Sequence, residues 1–174
     1  MKHLLIRYFG ILFLSSLSLS LSAEESLIHH AWQVRTSTQK SKKSFYITSV
    51  PESQTGSFKK RGQTYISIAS RPEQKSFNVF SLTAGYSYKE GSPVKISIFT
   101  GDKKKLKDFE LFTQNDMAWA EDEKMDQELT QAMKQGETLV AEGTSQKGTV
   151  STDTYSLKGF TASLKELNDL SKKS

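Results

Sequence analysis

The sequence predicts a mainly β domain, a sandwich or barrel of about eight short strands carrying two helices. Three observations predict it. Short runs of β-branched and aromatic residues recur between Gly, Pro, Ser and Lys punctuation, the pattern shifts to a helical period after Asn115, and the chain closes on a strand, a turn and an amphipathic helix.

That closing run, GTVSTDTYSLKGFTASL at 148–164, organises the rest. Thr149, Val150, Thr152 and Thr154 suit an extended backbone, Gly159 interrupts it, and Phe160, Leu164 and Leu167 then recur at i, i+4 and i+7. The resulting apolar stripe is placed to cap an otherwise open sheet core.

The upstream elements follow in order. Ile28, Trp32 and Val34 predict a first strand over 24–35; residues 36–44, rich in Ser, Thr and Lys without periodicity, read as a polar loop. FYITSV at 45–50 is β-prone and ends at Pro51, and 51–62 reads as a second loop carrying Lys59, Lys60 and Arg61. In TYISIASR, Ile66 and Ile68 share one face while Tyr65, Ser67 and Ala69 share the other. Pro72 and Glu73 break that strand, and SFNVFSLT at 76–83 has apolar residues on both faces, which predicts burial on both. Gly85 and Gly91 bracket YSYKE; Val94, Ile96 and Ile98 then alternate with Lys95 and Ser97, and a turn at Gly101 and Asp102 leads into 106–112 as a hairpin. After the short MAWA step a helix is predicted over 122–135. Asp122 is its N-cap, Glu121 and Glu123 suit its positive start, Met125, Leu129, Ala132 and Met133 form its apolar face, and Gly136 closes it. TLVA at 138–141 returns to strand, and 143–148 is a polar turn. No repeat or low-complexity segment interrupts this order.

Residues 1–23 have the three-part form of a secretory signal: Lys2 and Arg7, an apolar region over 11–21, and Ser22 and Ala23 before Glu24. Cleavage is expected after Ala23, leaving a single domain at 24–174. A retained membrane anchor is the rival, but Ser15, Ser16, Ser18 and Ser20 interrupt a region already shorter than the ~20 residues of a span. A lipoprotein anchor is excluded, because the chain has no cysteine. The same absence removes disulfides and thiol catalysis and leaves stability to packing. Losing Lys2 and Arg7 from 24 basic residues leaves 22 against 19 acidic, a mild excess that does not predict nucleic-acid binding.

Motifs for catalysis are weak. Ser37 and Lys40 fit the S-x-x-K spacing, but they sit in a predicted polar loop and the companion S-D-N and K-T-G motifs are missing. No G-x-S-x-G elbow marks a serine nucleophile. His29 and His30 are adjacent, so in a strand they point to opposite faces and do not share a metal. The acids Glu121, Asp122, Glu123, Asp126 and Glu128 lack the EF-hand order and are explained by a helix start. No metal or cofactor is therefore expected. Lys59, Lys60 and Arg61, with Arg71 and Lys75, are either solubilising charge or an anion-binding patch. Tyr65, Tyr86, Tyr88 and Trp119 are candidates for partner contact, with burial in the core as the competing expectation.

Four blocks, KKRGQTYISIASRPEQKS (59–76), TAGYSYKEGSPVKISI (83–98), FELFTQNDMAWA (109–120) and TDTYSLKGFTASLKEL (152–167), resemble segments of the invasion-associated locus B family of bacterial exported proteins, in the family's order. The resemblance implies an immunoglobulin-like β-sandwich, a periplasmic or outer-surface location, an association with host-cell entry in some pathogens, and no known catalytic residue. It also exposes a departure. Many family sequences carry one cysteine early in the second strand and another at the C-terminus, where this chain has Ser44, Phe45 and Tyr46 and ends in Ser174. If that pair forms a bond in relatives, its loss removes roughly 2–5 kcal/mol, part of which burial of Phe45 is expected to offset.

Together these point to a non-enzymatic exported protein, not integral to a membrane, that binds a protein partner at the envelope or host interface. Its alternative is a periplasmic hydrolase with an unrecognised serine or carboxylate site. Lys60, Arg61, Arg71, Tyr86, Tyr88 and Lys89 are the expected partner surface: alternation puts the two tyrosines on one face, the flanking glycines expose it, and the basic residues steer an acidic partner.

Overall fold

The computed structural model describes residues 26–39 and 41–174, so the expected leader over 1–23 and its expected cleavage after Ala23 lie outside the described residues. The fold is mainly β, as predicted, and the described residues hold two helices and eleven strands rather than about eight. They are β1 (Ser26–His29), β2 (Trp32–Gln39), β3 (Lys42–Ser49), β4 (Ser53–Gly56), β5 (Tyr65–Arg71), β6 (Ser76–Thr83), β7 (Val94–Phe99), β8 (Lys105–Gln114), β9 (Met117–Trp119), β10 (Thr138–Thr144) and β11 (Val150–Ser156). Helix α1 (Glu123–Gln135) lies between β9 and β10, and α2 (Phe160–Lys172) follows β11.

The extra strands come from polar sequence. The expected strand over 24–35 is a hairpin, β1 with β2, turning at His30 with φ 54°. The expected loop over 36–44 is the distal part of a second hairpin, in which Thr36 faces Phe45 and Thr38 faces Lys43. Its register is fixed by the buried pair Val34 and Ile47, and the backbone ladder then continues outward whatever the side chains are. Ser37 of the S-x-x-K motif is thus an exposed strand residue, and Lys40 lies outside the described residues. The expected loop over 51–62 contains β4, which pairs with β11.

All pairs are antiparallel, and the order is β1-β2-β3-β5-β6-β9-β8-β7-β10-β11-β4. One strand serves both halves of this sheet: β8 pairs with β7 through Lys105–Leu111 and with β9 through Phe112–Gln114. The two ends of the sheet also meet, because the Trp32 indole Nε1 donates to the Ser156 carbonyl at 3.0 Å and the Ala31 amide donates to the Lys158 carbonyl at 3.3 Å.

One contiguous core receives Val34, Ile47, Ile68 and Phe80 from one half, Ile96, Leu111, Leu139 and Tyr155 from the other, and residues of both helices. The predicted α2 stripe is there: Phe160 and Leu167 are fully buried, Leu164 nearly so, and the Phe160 ring meets Trp32 edge-on at 5.0 Å. Gly159 enters the helix at φ 93°, and a Cβ there would lie 2.0 Å from the His29 carbonyl oxygen, so only glycine lets α2 start so close to β1. In β6 the apolar residues of only one face are buried. Phe80 and Leu82 point inward, while Phe77 is 49% exposed and Val79 half-buried, which corrects the two-sided expectation. Phe45 is buried in the core, as expected.

Helix α1 matches its predicted span within a residue. The Asp122 carboxylate accepts from the Met125 amide at 2.8 Å, and Gly136 follows with its N–H on the Ala132 carbonyl. Asp126 has a different task from its acidic neighbours. Strand β9 covers β6 only at Ser81–Thr83, and the buried Asp126 Oδ1 takes the next open N–H, that of Phe80, at 2.8 Å. Burial pushes the Asp126 carboxyl up to about 6, against the bond from Phe80 and helped by the charges of Asp122 and Glu123. The folded state therefore holds this proton more tightly than the unfolded one. The associated stability is fully present below the ordinary carboxyl value of 3.8 and is lost as pH rises through about 6. Asp126→Asn keeps an acceptor for Phe80 and removes the charge; it is expected to raise stability at pH 7.5 by about 1–2 kcal/mol and to flatten the melting temperature between pH 4 and 7. Thermal unfolding across that range checks this, and a lower melting temperature at pH 7.5 would show that the charge stabilises the fold.

Candidate functional site

The loop from β4 to β5 is held at its far end by paired glycines. Gly62 donates to the Gly85 carbonyl at 2.8 Å, and Gly85 sits at φ 71° with space for a Cβ denied by the Gly62 carbonyl oxygen 2.5 Å away. Immediately before Gly62, Arg61 turns inward. Its Nη1 and Nη2 donate to the two carboxylate oxygens of Asp153 at 2.6 and 2.7 Å, and its Nε and Nη2 donate to the Ala84 carbonyl at 2.9 and 2.7 Å. The two side chains are 4% and 3% exposed. The guanidinium carbon lies 4.9 Å from the Phe58 ring centre and 5.1 Å from that of Tyr86. Burial works against the Arg61 charge, but the hydrogen bond and attraction of Asp153 outweigh it and hold the pKa above its ordinary value.

Tyr86 and Tyr88 pack edge-to-face at 5.3 Å. The Tyr86 hydroxyl shares a 2.8 Å hydrogen bond with Ser151 Oγ, whereas the Tyr88 ring goes into the core. Burial raises the pKa of both hydroxyls; at Tyr86 the Ser151 bond and the Arg61 charge oppose it. Backbone bonds from Gln146 to Ser87 and from Lys89 to Thr144 dock the β10–β11 turn against this segment.

Between the two loops lies a cleft of about 590 Å³, within the range of ligand sites. Lys59, Lys60 and Lys147 stand on its rim, Phe58 and Tyr86 form its apolar wall, and Ser145, Gln146, Thr149 and Ser151 present hydroxyl and amide groups. Among the described residues no carboxylate lines it, since Asp153 is locked beneath by Arg61.

Of the six residues expected on a partner surface, Lys60 and Tyr86 meet at this cleft. Arg61 is its buried support rather than a surface cation, and Tyr88 is core at 6% exposure, because its ring fills the space over Gly143 left by the missing side chain. Lys89 is exposed but lines the next concavity, with Glu90 and Gln114. Arg71 is exposed at the opposite end of β5 from the paired glycines. The six therefore do not form one patch. Phe58, Lys147, Ser151 and Asp153 were not singled out, and nothing local marks them: Asp153 meets Arg61 across 92 positions of sequence.

The other candidates disperse. Asp122 caps α1, Asp126 binds the Phe80 amide, and Glu128 pairs with Lys107 at 2.7 Å on the surface. Among the described residues no three His, Asp or Glu side chains converge on a metal-sized site, and no helix is long and apolar enough to cross a membrane. Trp119 is half-buried against Phe112 on the side of the sheet away from the core.

The strands and helices define a mainly β domain, and comparison with solved structures gives the crystal structure of invasion associated protein B from Bartonella henselae. The TM-score is 0.57 at 16% identity, covering 86% of this chain and 98% of that one. The sequence also matches the family model of the invasion associated locus B (IalB) protein over residues 32–168, and the chain belongs to that family. No curated protein matches it.

Removing one partner of the Arg61–Asp153 pair strands a buried charge, so Arg61→Ala and Asp153→Ala are each expected to destabilise by about 3–5 kcal/mol. The double replacement Arg61→Met with Asp153→Leu should recover much of that loss, and denaturant unfolding of the three variants measures the coupling. For Tyr88 the ring matters and the hydroxyl does not. Tyr88→Ala is expected to cost about 3–5 kcal/mol and Tyr88→Phe to stay within about 1 kcal/mol, both read from melting curves.

Proposed function

We infer that this member of the IalB family is an exported, non-enzymatic domain that binds a protein partner at the cell envelope or host interface, through the lysine-rimmed cleft beside Tyr86. The observation that carries this reading is electrostatic. Arg61 is already neutralised by Asp153, so Lys59, Lys60 and Lys147 set the potential of a concavity that no described carboxylate lines. Aromatic wall and cationic rim together suit a partner contact more than a nucleophile. Ser151, the cleft hydroxyl with a titratable neighbour, is bonded to Tyr86, whose proton burial holds more tightly, so the pair lacks a ready base. Family membership supports an exported envelope location, periplasmic or beyond it, and residues 1–23 would be the segment removed to leave 24–174.

Two measurements test this. Crosslinking pull-down from envelope and host-cell extracts, with the wild type and with the triple variant Lys59→Glu, Lys60→Glu and Lys147→Glu, is expected to lose the specific partner in the triple variant at unchanged melting temperature. Equal capture would move the contact elsewhere, and turnover of an ester, peptide or glycan substrate would overturn the binding-only reading. Intact-mass measurement of the protein from a fractionated cell is expected to show a chain starting at Glu24; a periplasmic species retaining residues 1–23 would contradict cleavage.

A further inference from the structure

Next to the cleft the sheet has an open edge. Strand β4 is last in the strand order and, among the described residues, pairs only with β11, so its other side carries backbone donors and acceptors that no described strand takes. Natural edge strands are commonly blunted by charge or proline. Here all four residues, Ser53, Gln54, Thr55 and Gly56, are exposed, and none is charged or proline. The strand also runs directly into the cleft. Gly56 is followed by Ser57 and Phe58 on the cleft wall, and Gln54 and Gly56 are paired with Asp153 and Ser151, which places them on the sheet face where the cleft opens. A strand added to this edge would lie about 4.8 Å beyond β4 with alternate side chains on that face. The charges waiting there are uncommitted: among the described residues Lys59, Lys60 and Lys147 are exposed and make no ion pair.

We propose that the β4 edge and the adjoining cleft form one site for an extended acidic segment of a partner protein, which adds as a strand to β4 and sets its alternate carboxylates against Lys59, Lys60 and Lys147. This rests on the protein-binding reading above and gives the chemistry of the partner. The open backbone edge favours a peptide over a free anion or a sugar, since only a chain with its own amide groups completes the ladder. The site is largely formed before binding: Arg61 holds one wall to β11, and the Gln146 bond to Ser87 holds the other.

The probe is a blocked octapeptide alternating glutamate and threonine, titrated into the full domain at low salt and followed by amide chemical shifts and hydrogen exchange. Shifts are expected across 57–61 and 145–149, with new exchange protection at 53–56. Glutamine in place of glutamate in the peptide, or the triple lysine-to-glutamate variant, should weaken binding by ~10-fold or more, and added salt should do the same to the wild type. Backbone N-methylation of the peptide at alternate residues should abolish binding in one phase and spare it in the other, a test that leaves the protein's own folding untouched. No binding at millimolar peptide, equal binding by both N-methylated peptides, or occupation of the cleft by oligogalacturonate while the peptide stays free would each overturn the proposal. If the octapeptide fails while partner capture is still lost in the triple variant, the acidic-strand proposal falls and the binding reading stands. If capture is unaffected as well, both fall.

Discussion

A single buried guanidinium joins parts of the chain that the sheet ladder leaves apart. Arg61 reaches from the loop after β4 to the end of β6 through the Ala84 carbonyl and to β11 through Asp153, and so fastens the two halves of the sheet at the same end. Coulomb attraction at this depth offsets a large desolvation cost, and such a pair is better understood as fixing one arrangement than as adding net stability. It also separates two roles that a surface reading would merge. The buried cation and anion cancel, and the field in the cleft belongs to the flexible ammonium groups at its rim.

The same device, a side chain completing a backbone ladder, recurs where strands run out of neighbours. Asp126 takes the Phe80 amide beyond the end of β9, and the Trp32 indole takes the Ser156 carbonyl beyond the reach of β4. Each group would otherwise be a buried, unpaired backbone dipole. Each also ties a helix or a sheet end to the core, since Asp126 is on α1 and Trp32 packs against Phe160 of α2. At Asp126 the satisfaction of one amide comes with a carboxylate in a dry place, and that residue favours the fold in mild acid over neutral solution.

The helices, the alternating strands and the family were legible because their signals are local. Asp122 three residues before Met125, the Phe160–Leu164–Leu167 stripe and four ordered sequence blocks are each contained in a short window. What was missed depends on distant partners. Ser53–Gly56 has no apolar pattern and becomes a strand only because β11 lies beside it. Lys59, Lys60 and Arg61 are alike in sequence, and Asp153 alone decides that the third goes inward. Tyr86 and Tyr88 alternate as a surface pair would, yet Gly143 leaves room beneath one ring and draws it into the core.

The position of α2 sets an order on assembly. The inner faces of β1, β2 and β3 are near the start of the folded chain, but α2, the helix that packs on them, is made from its last residues. Strand β4 likewise waits for β11, about a hundred residues downstream by the pairing of Gly56 with Ser151. A chain emerging from the ribosome can form the early hairpins, but their apolar sides stay uncovered until the C-terminus is free. Burial of these early strands therefore arrives late, and α2 acts as the latch that closes over them.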